Sequence, residues 1–594
     1  MSNTTKQPAS PATNPPTDAS LSYWGRSVRD TVEAFAIAFA LAFLFKTFEA
    51  EAFVIPTGSM APTLMGRHKD VVCPECGYAY TASCSEETDD NGNLIRTQTG
   101  EVDPRYQVVE CTCPNCRFAM SVDPNDAADG EFELQKSYSG DRIWVSKVPY
   151  QFSEPCRWDV IVFRCPLKAE TYFIKRLVGL PNERLMIEHG DIFAQGPADG
   201  AFKLVRKPPE KMQALAQVVH DNDHISSALR EAGWPARWSS MPEPPDVSGA
   251  WKPSDDGHSF ATDGSAGETW LRYEHRVPTD RFWRNPQIGA SAIRQLARPQ
   301  LITDFYAFNS RVLRRDENYG MMASALGLHW VGDLLIECEA DVRGSQGELL
   351  LDLVKGGRHF RCAIDVATGR ATLSIDGLDD WRRTAETSLR GPGNYDLRFA
   401  NVDRQLALWI DGKSIAFDQP AEYADLQNER PLSTPSDPGD LAPVGIGSRN
   451  AAVEVRHLRV LRDIYYIADG SLESAAPITD FRAPRSMVPI YRNDELVEFL
   501  STPSSWQTAG GRNLFDDRQS VAFELKQDQF FVLGDNSPAS ADARFWHGEH
   551  YVDRSLLVGK ALCIYWPHPI DLPIPFVDAS IGIIPNLPHM GLIR

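Results

Sequence analysis

The sequence predicts a mainly β protein with one apolar helix near its N-terminus and an antiparallel β-sandwich inserted in its middle. Three observations support this fold class. Proline and glycine, with 42 and 41 residues, are frequent enough for a chain with many turns. Segments rich in β-branched residues recur over 138–192 and 485–575. Residues 301–468 alternate apolar and polar side chains between Gly, Asn and Asp turns, which is typical of a sandwich.

Composition narrows the classes of function. The chain has 594 residues, which is long enough for several domains. Hydrophobic residues make up 42%, so a wholly disordered protein is excluded. The formal charge of −20 argues against a nucleic-acid-binding protein, because such proteins usually present a basic face. The mean hydropathy of −0.32 excludes a multi-pass membrane protein.

The N-terminal region predicts a disordered tail over 1–20, followed by a membrane anchor helix over 21–50. The strictly apolar part, 34–45, has 12 residues. A membrane span needs about 20, so the flanking residues must extend this stretch. A buried helix or a signal segment therefore stays open as an alternative.

Charges around the apolar stretch predict its orientation. Arg26 and Arg29 precede the stretch, and Glu49 and Glu51 follow it. Positive residues favour the cytoplasmic side, so we expect a cytoplasmic N-terminus and the rest of the chain across the membrane. No small-x-small cleavage site closes the segment cleanly, which favours a retained anchor over a removed signal.

Residues 71–136 are dominated by two Cys-x-x-Cys pairs, Cys73 with Cys76 and Cys113 with Cys116. Two such pairs resemble zinc-ribbon knuckles, in which four thiolates hold a structural Zn²⁺ ion. The 36 residues between the pairs exceed the usual spacing, so two disulfides remain an alternative. We expect this insertion to lie near the mouth of any site formed by its flanking segments. Two further cysteines of the region stay unassigned, namely Cys84 and Cys111.

The middle of the chain divides into two predicted parts. Residues 196–300 predict an irregular insertion with one or two short helices. Residues 301–468 resemble the concanavalin A/laminin-G-like jelly-roll domains, in the segments ALWIDGKSIAFD and EVRHLRVLRDIYY. That resemblance leaves open whether the domain binds a glycan, binds a protein or is only a spacer. Residues 576–594 predict a C-terminal tail.

Two residues outside the cysteine region suggest chemistry. Ser59 follows Pro56 and Gly58 in FVIPTGSMAPTL, and a serine hydroxyl becomes a nucleophile when a base removes its proton. Lys175 lies in the strand-like segment TYFIKRLVGLP. Burial would lower the pKa of its amine and allow it to act as that base. Alternation alone leaves open whether Lys175 or Arg176 points inward.

These segments together resemble the type I signal peptidases, the Ser/Lys membrane peptidases that remove signal peptides from exported proteins. The matching motifs are IPTGSMAPTL, GDRIWVSKVPY, RWDVIVFRCP with FIKRLVGLP, and GDNSPASADAR, in this order after the apolar segment. The resemblance implies a catalytic domain split over 51–70, 137–195 and 485–575. It also implies that no cofactor takes part in catalysis, so that Zn²⁺ would be structural only.

The resemblance assigns roles to individual residues. Ser59 would be the nucleophile and Lys175 the general base. The Thr57 hydroxyl and the Ser59 backbone N–H would form the oxyanion hole. Ser540 would orient the lysine, and Asp542 would form an ion pair with Arg544. The other supporting positions would be Gly534, Asp535 and Asn536. The walls of the substrate pockets would be Phe53, Ile55, Pro56 and Ile174.

The sequence also departs from the family pattern. Ser537, Pro538 and Ala539 replace the usual charged and amide residues, and Ala543 replaces a usual serine. A second Ser-Met pair, Ser486-Met487, lacks the preceding Ile-Pro-x-Gly, so we do not expect it to be the nucleophile.

The resemblance implies signal peptides and the lipid bilayer as partners, and a location in the inner cell membrane with the catalytic domain on the outer side. An alternative from another class is a catalytically degenerate envelope protein that displays the sandwich as a binding domain. A soluble Ser/Lys self-cleaving repressor is a third option, which the anchor segment disfavours.

Overall fold

The structure is a computed structural model of the chain. It describes residues 28–39, 50–89, 92–100, 102–122, 137–241, 250–310, 312–313, 327–426, 430–469, 478–481, 493–503, 514–546, 548–573 and 580–594. Strands predominate over helices throughout these residues, which confirms the prediction of a mainly β protein.

Helices are few and short. One covers 28–39, inside the predicted anchor segment, and its side chains are exposed. None of the helices among the described residues combines the length and apolar character needed to cross a membrane. The predicted tail 1–20 and the rest of the anchor, 21–27 and 40–49, lie outside the described residues. The other α-helices are Pro149–Phe152, Pro209–Leu215, Ser227–Glu231, Asp280–Arg284, Ala290–Leu296 and Asn493–Ser501.

One antiparallel sheet, called here the catalytic sheet, joins segments that are far apart in the chain. Val, Ile and Phe are frequent in its strands, as expected for a pleated surface with a buried face. The short strand Gly591–Leu592 pairs with one edge of its third strand. The strands, in spatial order, are Ala50–Val54, Arg142–Ser146, Leu557–Trp566, Val160–Cys165, Lys168–Gly179, Gln529–Leu533 and Val552–Asp553.

Smaller sheets flank the catalytic sheet. A four-stranded sheet runs in the order Lys203–Leu204, Asp191–Gln195, Arg184–Glu188 and Ser520–Glu524. The cysteine-rich region forms a hairpin, His68–Val72 with Ala79–Ser83, and a three-stranded sheet of Val312–Leu313, Val108–Thr112 and Ala119–Ser121. The last hairpin pairs Pro569–Pro573 with Ser580–Pro585.

Two larger antiparallel sheets pack their apolar faces together and form the β-sandwich. One has the order Lys252–Pro253, Phe260–Thr262, Val453–Arg462, Leu334–Val342, Gly393–Val402, Gln405–Ile410 and Lys413–Ser414, with Gln217–Asp221 also paired to Val453–Arg462. The other has the order Trp238–Met241, Glu268–Tyr273, Val444–Arg449, Glu348–Lys355, Arg358–Asp365, Arg370–Ile375 and Arg382–Glu386.

The sandwich draws strands from outside the predicted range 301–468. Strands between 217 and 273 extend both of its sheets, although this region predicted an irregular insertion. The reason is that these strands are only two to six residues long, so their alternation is too brief to be read locally. Long-range pairing, such as that of Glu268–Tyr273 with Val444–Arg449, fixes them instead.

The end of the sandwich returns the chain to the catalytic sheet. After Val453–Arg462, the backbone N–H of Ile467 donates to Ser537 Oγ at 3.0 Å, and its carbonyl accepts from Arg544 at 2.9 Å. The inserted segment therefore contacts the loop that follows strand Gln529–Leu533.

Candidate active site

Ser59 lies in a tight 3₁₀ turn, Gly58–Met60, just after strand Ala50–Val54. The turn is buried and is held from the opposite side by Asn536. The Asn536 backbone N–H donates to the Ser59 carbonyl at 3.1 Å, and its Nδ2 donates to the Gly58 carbonyl at 2.9 Å. The Gly58 N–H donates to Ser85 Oγ at 2.9 Å. The backbone of the turn is thus fixed by bonds from two distant segments.

Lys175 reaches Ser59 from the neighbouring strand, Lys168–Gly179. Its Nζ lies 2.6 Å from Ser59 Oγ and donates to its neighbour's carbonyl, that of Ile174, at 3.1 Å. The side chain is 5% exposed. Burial lowers the pKa of the Lys175 amine to about 8, although the negative charges of Asp542 and Asp535 act to raise it. The amine is therefore neutral in an appreciable fraction of molecules near neutral pH.

Arg176 points to the other face of the strand and is also buried, so both faces of the strand are covered here. Its guanidinium pairs with both oxygens of Asp535, at 2.7 Å each. It also donates to the carbonyl of Trp158 at 2.8 Å, and Thr63 donates to Asp535 at 2.5 Å. Breaking such a buried pair costs about 3–5 kcal/mol, so the pair anchors the Gly534–Asn536 loop beside the strand.

A second buried ion pair, Asp542 with Arg544, lies on the same loop. Arg544 donates to the two Asp542 oxygens at 2.8 and 2.9 Å and to the Ser537 carbonyl at 2.8 Å. Asp542 also accepts from the Gly534 N–H at 3.0 Å. Ser537, one of the departures from the family pattern, therefore takes part in holding the loop.

Gly534 brings this loop against the nucleophile turn. A Cβ at this position would lie 2.2 Å from Ser540 Oγ and 2.4 Å from the Ser59 carbonyl oxygen, so only glycine fits. Ser540 is buried, but its Oγ has no hydrogen-bond partner among the described residues. The expected bond from Ser540 to Lys175 is thus not formed. Lys175 Nζ instead contacts Ser59 Oγ and the Ile174 carbonyl.

The remaining predicted positions surround the turn. Thr57 is exposed at its start, and the Thr57 side chain makes no capping bond to it. Ile55 and Ile174 lie in one buried apolar cluster, against which Phe53 packs. The Phe53 ring stands edge-on to Tyr172, with 5.3 Å between the ring centroids. Pro56, which directly precedes Thr57, is half-buried.

Two residues that no sequence pattern singled out also support the turn, Phe308 directly and Asn309 through Asn536. The Asn309 amide forms a reciprocal pair with Asn536, at 2.7 and 2.8 Å. The Phe308 ring occupies the space beside Gly58, where a Cβ would lie 2.2 Å from a ring carbon. Asn309 and Asn536 are 227 positions apart, and no local pattern signals such a contact. Ser486 and Met487 lie outside the described residues.

The four cysteines of the two pairs converge. Their sulfur atoms lie within 4.8 Å of one another, with 3.5 Å between Cys73 and Cys116 and 3.7 Å between Cys76 and Cys113. These separations exceed a disulfide bond, which is about 2.05 Å long. They are close to the ~3.8 Å between thiolates around a tetrahedral zinc ion with Zn–S bonds of ~2.3 Å. The donor set therefore fits Zn²⁺.

The two knuckles have the same backbone geometry. The N–H of Gly77 donates to the Cys73 carbonyl at 2.8 Å, and the N–H of Arg117 donates to the Cys113 carbonyl at 3.0 Å. Both residues after the knuckles have a positive φ, 71° at Gly77 and 61° at Arg117. Cys84 and Cys111 are also free thiols. The same turn is thus repeated in the two Cys-x-x-Cys pairs, and the four sulfurs that it presents converge on one point. This arrangement fits a tetrahedral site with four thiolate ligands.

Comparison with protein families locates the similarity in two segments. The family model for "Signal peptidase, peptidase S26" matches residues 134–225 and 487–566. These segments include Lys175 and Asn536, and the match begins after Ser59. The stretch between them, 226–486, contains most of the sandwich, which fits a domain inserted into a signal-peptidase-like region.

Curated relatives agree with this match over short stretches. Signal peptidase I of Leptolyngbya laminosa is 29% identical over 112 residues, which are 17% of this chain and 54% of that protein. The probable signal peptidase I-2 of Synechocystis sp. is 33% identical over 61 residues, which are 9% of this chain and 28% of that protein. The chain thus spans about half or less of the length of these relatives.

Solved structures are similar to part of the chain. The match to the carbohydrate-binding module CBM66 from Bacillus subtilis covers 38% of this chain and 95% of the module, at 9% identity and a TM-score of 0.20. The match to the Caenorhabditis elegans galectin LEC-6 covers 22% of this chain and 83% of the galectin, at 9% identity and a TM-score of 0.16.

We expect the full chain to bind one equivalent of Zn²⁺ at the four cysteines. Substituted Co²⁺ should show the intense thiolate charge-transfer absorption of a four-sulfur site. Cys73→Ser and Cys113→Ser should each abolish this absorption, because three sulfurs cannot close the tetrahedron. Cys156→Ser, which changes an exposed thiol elsewhere, is the matched control. A metal-free protein in which titration finds these thiols oxidised would support disulfides instead.

Proposed function

We propose that this protein is a membrane-bound serine endopeptidase that removes N-terminal signal peptides from exported preproteins, with Ser59 and Lys175 as its catalytic dyad. The observation that carries the proposal is the 2.6 Å separation between Ser59 Oγ and the buried Lys175 Nζ. The similarity of two segments to signal peptidases supports the reaction class.

Acylation begins with the neutral amine of Lys175. Its Nζ accepts the Ser59 hydroxyl proton while Oγ forms a bond to the scissile carbonyl carbon. The carbonyl π electrons move to oxygen, and the Ser59 N–H with the Thr57 hydroxyl would stabilise that oxyanion. A donor of this kind contributes about 3–4 kcal/mol. The C–N bond then breaks, and the Lys175 ammonium donates its proton to the leaving amine.

Deacylation uses the same amine a second time. Lys175, neutral again, takes a proton from water as the water oxygen attacks the acyl carbon. The ester bond breaks, Ser59 Oγ regains a proton from the Lys175 ammonium, and the free carboxyl product leaves. One buried base therefore serves both half-reactions.

Specificity for small residues would follow from the walls of the site. The side chains of Ile55 and Ile174 are buried, and Phe53 covers part of the same apolar cluster. By resemblance to the signal peptidases, pockets with these walls would accept Ala or other small residues one and three places before the cut. The preproteins themselves would be presented at the membrane surface.

Membrane attachment would come from the N-terminal region. Helix 28–39 exposes apolar side chains, among them Val32, Phe35 and Phe39, which are 60%, 63% and 74% exposed. Apolar side chains of this size favour lipid over water. We propose a single anchor in the inner membrane, with its N-terminus in the cytoplasm and the catalytic sheet on the other side.

Asn309 would act as a positioning residue for the nucleophile. It contacts no reacting atom, but its amide pair fixes Asn536, and Asn536 holds both carbonyls of the Gly58–Ser59 turn. The inserted segment thereby supports the geometry of the dyad. We propose a structural role for Zn²⁺ at the cysteines, apart from the chemical steps.

Cleavage of a model preprotein by the purified full chain tests the dyad. Ser59→Ala and Lys175→Met should each lower the rate by at least about a thousand-fold, because each removes a reacting group. Ser153→Ala and Lys168→Met change an exposed serine and an exposed lysine of the same region and should retain activity. Full activity in either dyad variant would refute the role of that residue, and an inactive parent chain would favour the degenerate-scaffold alternative.

The pKa of Lys175 predicts the pH dependence of cleavage. Only the neutral amine accepts the Ser59 proton, and burial lowers its pKa to about 8. The value of kcat/KM should therefore rise as the pH is raised through about 8 and level off above it. Initial rates from mildly acid to alkaline pH, at constant ionic strength, measure this dependence. A flat profile would contradict a lysine base.

Substitution of Asn309 tests the positioning role. Asn309→Ala should lower kcat by about ten-fold or more with little change in KM, because the turn loosens while the pockets remain. Asn309→Asp keeps an acceptor for Asn536 Nδ2 and should recover part of kcat. Asn394→Ala, on an exposed strand end of the sandwich, is the matched control. A change in KM alone, or none, would refute this role.

A further inference from the structure

A large cavity lies between the second cysteine knuckle and the first strands of the sandwich, and Ser59 is not among the residues that line it. Its volume is about 420 Å³, within the ~300–1,000 Å³ typical of small-ligand sites. Its walls come from Asn115–Cys116, from 220–240 and from 251–260. No step of the proposed peptidase reaction uses these residues.

Aromatic rings form much of the wall. Trp234, Trp238, Trp251 and Phe260 all line the cavity and are buried. Three indoles within one small cavity offer broad flat apolar surfaces. Such surfaces bind ligands that have a flat apolar face of their own.

Several polar atoms of the same walls lack partners among the described residues. These atoms are the indole N–H groups of Trp234 and Trp238, Nε2 of His220 and the hydroxyl of Ser239. Their neighbour Trp251 differs, since its N–H donates to the Thr269 carbonyl at 3.3 Å. An unpaired buried polar atom costs about 1–3 kcal/mol, so these atoms favour a ligand that supplies their hydrogen bonds.

Two groups contact one ring nitrogen of His220. Asn115 Oδ1, which accepts from the Asp221 N–H at 3.0 Å, lies 2.7 Å from His220 Nδ1, and Arg237 lies 3.0 Å from the same nitrogen. The other ring nitrogen, Nε2, has no partner among the described residues and is the one left for a ligand. Burial lowers the pKa of His220 well below its usual value, which keeps the ring neutral. The Asn222 amide donates to the carbonyls of Gly257 and His258 at 3.0 and 3.3 Å.

The charged groups of the wall are mostly engaged. Arg237 donates to the Asn115 carbonyl at 2.7 Å, and Arg230 donates to the Asp256 carbonyl at 3.3 Å. The unpaired atoms belong to neutral side chains: two indole N–H donors, one imidazole nitrogen and one hydroxyl. A ligand rich in hydroxyl groups, which both donate and accept, can satisfy all four.

We propose that this cavity is a carbohydrate-binding site that holds one or two neutral pyranose rings. The C–H face of a pyranose would stack on the indole rings. Its hydroxyl groups, which donate and accept, would pair with the indole N–H groups, with His220 Nε2 and with Ser239. This site is independent of the Ser59–Lys175 dyad, and it gives a location and a chemistry to the ligand question that the sequence left open.

Isothermal titration of the full chain with methyl β-glucoside, cellobiose and N,N′-diacetylchitobiose tests the proposal, with indole-3-acetate and adenosine as flat aromatic probes. At least one sugar should bind. Ala236→Trp should weaken that binding by about ten-fold or more, because Ala236 is an exposed residue of the wall and a larger side chain would fill the space. Ala198→Trp, on an exposed loop of the small sheet, is the matched control.

A second variant separates recognition from simple blockage. Trp234→Phe keeps the ring contact with Phe282, 5.0 Å away between centroids, but removes one indole N–H. It should weaken sugar binding while peptidase activity and thermal stability stay unchanged. Absence of binding by all three sugars would overturn the proposal, as would binding that Ala236→Trp leaves intact. Binding of the aromatic probes alone would overturn the carbohydrate assignment.

Discussion

The catalytic region depends on the burial of one amine. Desolvation lowers the pKa of Lys175 to about 8, while the charges of the nearby carboxylates Asp542 and Asp535 act to raise it. Each carboxylate pairs with a buried guanidinium, Arg176 or Arg544, through two hydrogen bonds. The positive charge of Arg544 acts with desolvation to lower the Lys175 pKa, and desolvation is the larger effect. The two ion pairs therefore fix the loop beside a base that is partly neutral.

The nucleophile turn is supported by parts of the chain that are remote from each other. Asn536 reaches it from the loop after Gln529–Leu533, and Asn309 holds Asn536 from the inserted segment. Ser310, next to Asn309, accepts from the Thr112 N–H at 3.0 Å, between two of the cysteines. The insertion and the cysteine-rich region are thus in direct contact with the site, and their removal would leave the turn with fewer restraints.

Much of the fold was predictable where its signals are local. Long strands such as Leu334–Val342 alternate clearly, and the paired Cys-x-x-Cys motifs converge on one point. The short strands between 217 and 273 were not predictable, because two to six residues hold too little alternation. The expected contact between Ser540 and Lys175 came from family resemblance, and the structure leaves that hydroxyl without a partner among the described residues.

Local patterns were enough to predict the mainly β class, a serine in a turn, a lysine in a strand and the four thiols. Three-dimensional packing was needed to show that Lys175 faces Ser59 while Arg176 is buried on the opposite side, paired with Asp535. The alternation of a strand places neighbouring side chains on opposite faces, but it does not show which face is buried, and both faces can be covered. Contacts such as that of Asn309 with Asn536 join residues hundreds of positions apart, and packing in three dimensions alone creates them.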